Sequence, residues 1–136
     1  MGETVHLSRS LAGEIISRAA QSDQEVCGLL LGCAGHVTQL VACRNVHPTP
    51  ATHFELDPAA LFAALRAARA GGPAVIGHYH SHPSGQATPS ATDAAAAAAD
   101  RSIWIIVAGT DITAWKAVRD GAVHGRFDPL ALAIAR

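Results

Sequence analysis

His80-Ser81-His82 and, after ten intervening residues, Asp93 are the side chains of this sequence whose types and spacing are best suited to chemistry. An apolar run, Ala74-Val75-Ile76, leads into them and reads as a strand, and a run of alanines leads away and reads as a helix. Side chains two apart leave the same face of a strand, so His80 and His82 point together with about 6–7 Å between them. A short loop then returns Asp93 on the first turn of the helix. Two imidazoles and a carboxylate are a usual ligand set for a catalytic zinc, with the fourth position left for water. Such a centre also needs a base to take the proton of that water, and this stretch contains none.

Each residue has a plainer reading. Two histidines can be polar residues at a strand end, but a pair on one face with an acid close behind needs a partner that draws both rings inward, and a metal is one. Ser90-Ala91-Thr92-Asp93 has the shape of a capping box, with a serine cap and an acid three residues on. The two roles are compatible, since Ser90 can cap while Asp93 turns to a metal. His78 shares the strand face of His80 and His82, yet three alternate residues span ~13 Å, too far for one ion. It is expected behind the ligands or in the core. The missing base is assigned to Glu25, because a carboxylate directly ahead of Val26-Cys27-Gly28-Leu29-Leu30-Leu31-Gly32 is costly to bury without a role. An exposed acid at the start of a strand is the competing reading. Glu14, Asp23 and Glu55 sit on segments that look solvated.

The elements that must position these groups follow from periodicity and turn signals. Thr4–Leu7 reads as a short edge strand, followed by a helix capped by Ser8 or Ser10 with Leu11, Ile15, Ile16 and Ala19 on its apolar face. Glu25–Gly32 and His36–Ala42 read as a hairpin turned at Gly35. Cys43–Ala51 is a loop and Thr52–Leu56 another strand. Asp57-Pro58 starts a helix with Leu61, Phe62 and Leu65 inward and Arg66 and Arg69 wet, and Gly71-Gly72 ends it. After the Ala74–Ser81 strand come a helix over Ser90–Asp100, strands over Ile103–Ala108, Ile112–Val118 and Ala122–Phe127, and a last helical turn or two in Pro129–Ala135. This is an α/β layering, a mixed sheet with helices packed on it, in a single domain over residues 1–136.

Composition excludes several classes of function. A chain of 136 residues, 49% hydrophobic and 15% charged, buries a proper core and is not disordered. A net charge of −1 offers no electrostatic footprint for nucleic acid or an anionic membrane, and three Phe, two Trp and one Tyr make few stacking platforms. Cys27, Cys33 and Cys43 form no CxxC pair and read as small core residues in a reducing compartment. With no apolar signal core and no 18-residue apolar span, a cytoplasmic location is expected.

With Glu25 ahead of Cys27-Gly28-Leu29-Leu30-Leu31-Gly32, and His80-Ser81-His82-Pro83 followed by Ser90 and Asp93, the sequence resembles the JAMM (MPN-plus) zinc metallopeptidase family over about residues 4–127. Asn45 and Phe54-Glu55-Leu56-Asp57-Pro58 are similar to its small prokaryotic members. The resemblance implies a curved mixed β-sheet flanked by helices, with cytidine-deaminase-like layering. It implies zinc held by His80, His82 and Asp93, Glu25 as general base toward zinc-bound water and proton donor to the leaving amine, and the Ser90 hydroxyl at the tetrahedral oxyanion. The implied substrate is the extended tail of a ubiquitin-like protein, adding as a strand beside the site. Pro48–His53 and Pro83–Pro89 are short, so a platform gripping two ubiquitins is expected to be absent. Small stand-alone members imply a ubiquitin-like sulfur-carrier protein as partner, and release of an amino acid such as cysteine, or of a short extension, after its terminal Gly-Gly. One alternative is a general isopeptidase that frees lysines of target proteins. Another is a binding module with structural zinc, which would need a fourth ligand such as His78. A second copy could pair with an exposed strand such as Ile112–Val118, giving a homodimer, and the same donors accept other divalent ions.

Overall fold

A strand that is apolar along its whole length belongs inside a sheet with both faces covered. Cys27–Cys33 (β2) is such a strand, buried from Cys27 to Gly32 and hydrogen-bonded on both sides. The computed structural model describes residues 3–135. Along the chain follow Thr4–Ser8 (β1), Arg9–Ala20 (α1), β2, His36–Cys43 (β3), Pro58–Arg69 (α2), Ala74–Ser81 (β4), Ala91–Ala96 (α3), Ile103–Ala108 (β5), Asp111–Gly121 (β6) and Gly125–Ala135 (β7).

The fold is α/β with a mixed sheet in the order β1-β3-β2-β4-β5-β6-β7, and the sheet closes on itself. β2 runs antiparallel to β3 and β4, β4 runs parallel to β5 across the α3 crossover, and β5, β6 and β7 form an antiparallel meander. Alternation along β5 divides the interior in two. Ile103, Ile105 and Val107 join Val5, Ile15 and Tyr79 in a core that α1 covers. Trp104 and Ile106 face the other way and pack with Trp115, Phe127 and Phe54. Glycine permits close approach at β2: a Cβ on Gly28 would collide with the Tyr79 ring lying over it.

Several expectations are corrected. β1 is no edge strand, since it pairs in parallel with β3 at His6 and with β7 over five residue pairs, from Thr4↔Ala131 to Ser8↔Ala135. Those backbone partners are why Pro129–Ala135 is a strand and not a helical turn. Ile112–Val118 lies in β6, bonded to β5 and β7, and offers no free edge to a second copy. Thr52–Leu56 forms no strand, only an isolated bridge between Asn45 and Leu56. The helix expected over Ser90–Asp100 stops at Ala96, with Ala97 extended at ψ 133. Ala94 and Ala97 pack into the core around Trp104 and the chain must turn into β5 there, so tertiary packing overrides the alanine preference for helix. In α2 the half-buried stripe is Ala60, Leu61, Ala64 and Ala68, small side chains that let the helix lie near β4, while Phe62 is 58% exposed and Leu65 also faces out. Of the cysteines Cys27 is buried, Cys43 half-buried and Cys33 exposed at the end of β2, so Cys33 is not a core residue. All three are unpaired thiols.

Candidate active site

The end of β4 and the residue just past it carry His80 and His82 on one face. His80 is fully buried in the sheet, and His82 stands where the strand ends. α3 then begins with Ser90 as its N-cap, and both halves of the capping box are formed. Asp93 N–H donates to Ser90 Oγ and Ser90 N–H donates to Asp93 Oδ2, each at 3.0 Å. The box fixes the Asp93 carboxylate with its oxygens toward the imidazoles: Oδ1 lies 3.1 Å from His80 Nε2 and Oδ2 lies 3.0 Å from His82 Nε2. The two Nε2 atoms are 3.0 Å apart. One ligand atom from each residue thus falls within 4.8 Å of the others.

This donor set fits a divalent metal. The Gln86 carbonyl can only accept, and it lies 2.7 Å from His82 Nδ1, so Nδ1 donates to it and Nε2, the atom that faces Asp93 and His80, is the one a metal would take. A histidine ligand held by a hydrogen bond from its other nitrogen is the usual arrangement around a metal. The hydrogen bonds from His80, His82 and the Ser90 N–H outweigh burial and hold the Asp93 carboxyl far below the usual range. Burial, only partly offset by Asp93, lowers the pKa of His80, which keeps that ring neutral and able to donate a lone pair. Two imidazole nitrogens and a carboxylate facing one point could hold a cation, and Zn²⁺ suits N/O donors of this kind.

Glu25 lies just ahead of β2 and is 7% exposed. Its Oε1 is buried without a hydrogen-bond partner among the described residues. Burial pushes its carboxyl up to about 7, with His82 pulling the other way and Asp93 adding to the rise. Its backbone is pinned on three sides. Glu25 N–H donates to the Pro50 carbonyl at 2.8 Å, the Asn45 amide donates to the Glu25 carbonyl at 2.9 Å, and Val26 N–H donates to Ser81 Oγ at 2.9 Å. Ser81, between the two histidines, points to the opposite side of β4 and so ties the Glu25 segment to the strand that carries them. Glu25, His82 and Ser90 line one cavity of about 380 Å³. Glu14, Asp23 and Glu55 stand away from it; Glu14 pairs with Arg18 on the surface of α1.

The Prok-JAB family model, prokaryotic homologs of the JAB domain, matches residues 8–118. The chain belongs to this family. It is 40% identical over 73 residues to a Thermus thermophilus protein named "Probable TtuB-protein conjugate cleaving protease", and 40% identical over 77 residues to a Haloferax volcanii protein named "Desampylase". These matches cover 54% and 55% of this chain and 49% and 55% of those proteins, so the chain spans about half the length of the curated relatives it matches. Its fold is similar to that of a JAB1/MPN domain protein from Archaeoglobus fulgidus, with a TM-score of 0.54 at 21% identity over 95% of this chain and 96% of that one.

Around the three convergent residues of this JAB chain lies an aromatic layer that periodicity did not reveal. His78 does not join the His80–His82–Asp93 group. It packs against Trp104 with ring centroids 4.3 Å apart, and burial pushes it down to about 3, so it stays uncharged behind them. Phe54 stacks on His80. Cys27 sits opposite His80 in the sheet, but burial pushes its thiol up to about 12, which leaves no thiolate for nucleophilic attack. Asn45 also exceeds what its place in the sequence conveyed. Besides Glu25 it donates to the His53 carbonyl at 2.9 Å, and its Oδ1 accepts from His47 and Glu55 N–H, each at 3.1 Å.

Proposed function

We propose that the chain is a zinc-dependent peptidase that hydrolyses the amide bond after the C-terminal Gly-Gly of a ubiquitin-like sulfur-carrier protein and releases an amino acid or short extension. The observation that carries this reading is the buried Glu25 carboxyl, unpartnered at Oε1 and pushed up to about 7, in the same cavity as His82 and Ser90. A zinc ion held by His80, His82 and Asp93 would lower the pKa of a coordinated water to about 7 and polarise the scissile carbonyl. Glu25 acts as general base, taking a proton on its carboxylate and returning it to the leaving amine, a task that favours a pKa near the working pH. Ser90 Oγ accepts from Asp93 N–H, so its own hydrogen is free to donate to the carbonyl oxygen as negative charge develops there. The Gln86 carbonyl and the Ser90 N–H hold His82 and Asp93 in place.

The test is mass spectrometry of a sulfur carrier bearing one extra residue after Gly-Gly, incubated with the protein alone, with a zinc chelator, or with Glu25→Gln. Release of the residue in the first tube alone is expected, and release in all three would overturn the reading. A second reading, isopeptidase action on lysine-linked conjugates, is favoured by one relative's name, which refers to cleavage of protein conjugates. Cleavage of a lysine-linked conjugate without release from the linear extension would select it.

A further inference from the structure

Asp93 also lines a second cavity, of about 620 Å³, on whose walls stand His47, His53 and Phe54. The proton transfers proposed for the reaction use neither His47 nor His53. Their rings are stacked, with centroids 4.6 Å apart and planes 12° from parallel. The Thr49 backbone N–H can only donate, and it lies 3.0 Å from His47 Nδ1, so the ring hydrogen of His47 is on Nε2. The Thr52 hydroxyl, 2.8 Å from His53 Nδ1, sets the same tautomer there when it donates, and the Thr49 hydroxyl stands between the rings, 3.1 Å from His47 Nδ1 and 3.2 Å from His53 Nδ1. Both outer Nε2–H groups then lack a partner among the described residues. Asn45 holds the backbone of the loop on both sides of the pair, at the His47 N–H and the His53 carbonyl, so the two donors are preorganised.

We infer that His47 and His53 form a receptor for the free C-terminal carboxylate of the leaving residue or two-residue extension. The inference rests on the reading of this chain as a hydrolase acting after Gly-Gly, and selects linear extensions over lysine-linked conjugates. Both Nδ1 edges turn to the same Thr49 hydroxyl, so the stacked rings present their Nε2 edges on the other side together, and two N–H groups so placed suit a group that only accepts and offers two oxygens, as a carboxylate does. A Gly-Gly tail has no side chain and, before cleavage, no carboxylate, so in a linear substrate this group belongs to the leaving side. Glu55, at the exposed rim of the same cavity, is the opposing charge.

The experiment compares kcat/KM for carriers extended by one or two residues, each made as the free acid and as the carboxamide. For at least one length the free acid is expected to be cut roughly 10- to 100-fold better, the range for hydrogen bonds to a charged group. His47→Ala and His53→Ala should bring that ratio toward one. His47→Gln, which keeps an N–H near the Nε2 position, should retain much of it, and Glu55→Gln should raise it. Equal rates for acid and carboxamide at both lengths, or an unchanged ratio in the alanine variants, would overturn the inference. Imidazole ¹⁵N NMR reads the site without turnover: N-acetyl-glycyl-alanine should shift the His47 and His53 Nε2–H signals and its carboxamide should not. Such shifts with no cleavage of any substrate would leave the receptor standing and sink the hydrolase reading. Cleavage of acid and carboxamide alike, with no shifts, would do the reverse.

Discussion

The ring of Phe54 lies flat against the imidazole of His80, with centroids 4.2 Å apart and planes 18° from parallel. His80 Nδ1 has no hydrogen-bond partner among the described residues, so this ring is oriented by its aromatic neighbours and by Asp93, whereas His82 is held by a backbone carbonyl.

Phe54→Ala is therefore expected to weaken zinc binding by about tenfold, the lower end for lost support of a ligand, and to cost about 2 kcal/mol of stability through the space it leaves. Phe54→Leu refills the space without the flat contact. Competition titration against a zinc chelator checks the first effect and chemical denaturation the second. Equal zinc affinity in all three proteins would show that stacking does not orient His80.

Glu25→Gln should keep fold and metal while lowering turnover by about 10²- to 10⁴-fold, the usual worth of a general base; His82→Ala should lose metal and turnover together. Metal content by mass spectrometry, beside the cleavage rate, separates the two. A Glu25→Gln enzyme with near-normal turnover would remove Glu25 from the mechanism.

The same carboxyl gives the metal-free protein a pH dependence. Its folded value, about 7, lies above the ordinary 4.5, because burial disfavours the charged form. The protonated group therefore stabilises the fold. That contribution is complete below pH 4.5 and is lost as pH rises through about 7. Between pH 4.5 and 8 the chelated wild type should lose up to roughly 3 kcal/mol relative to Glu25→Gln. Urea unfolding of both proteins across that range measures it, and parallel curves would refute the assignment.

Asn45→Ala removes the hydrogen bonds that join Glu25, His47, His53 and Glu55. A loss of about 2–3 kcal/mol is expected, with faster hydrogen exchange at the His47 and Glu55 amides. Unchanged exchange there would mean that the loop holds itself.

Gly28→Ala places a methyl group where the Tyr79 ring lies. Because that ring is fully buried between β2 and α1, destabilisation of about 1–3 kcal/mol is expected. Gly13→Ala meets open space on α1 and serves as the control, expected to stabilise slightly in thermal unfolding.

What could be read from the sequence is what short-range geometry fixes. Alternation along Ala74–Ser81 put His80 and His82 on one face. A serine three residues ahead of an acid defined the start of α3, and Asp57-Pro58 defined that of α2, because caps and strand periods are settled within a few residues. The cost of burying a lone carboxylate singled out Glu25, but not its neighbours. Only the tertiary structure brought Glu25 into one cavity with His82, across a link between Val26 and Ser81 that are 55 residues apart. Only the closed sheet made Pro129–Ala135 a strand and not a helical turn, since its partner β1 lies at the other end of the chain. The helix end at Ala96 and the Phe54 contact with His80 were likewise decided by packing between distant segments. Local propensity carries no information about a partner that arrives from far along the chain, and these are the places where such a partner sets the conformation.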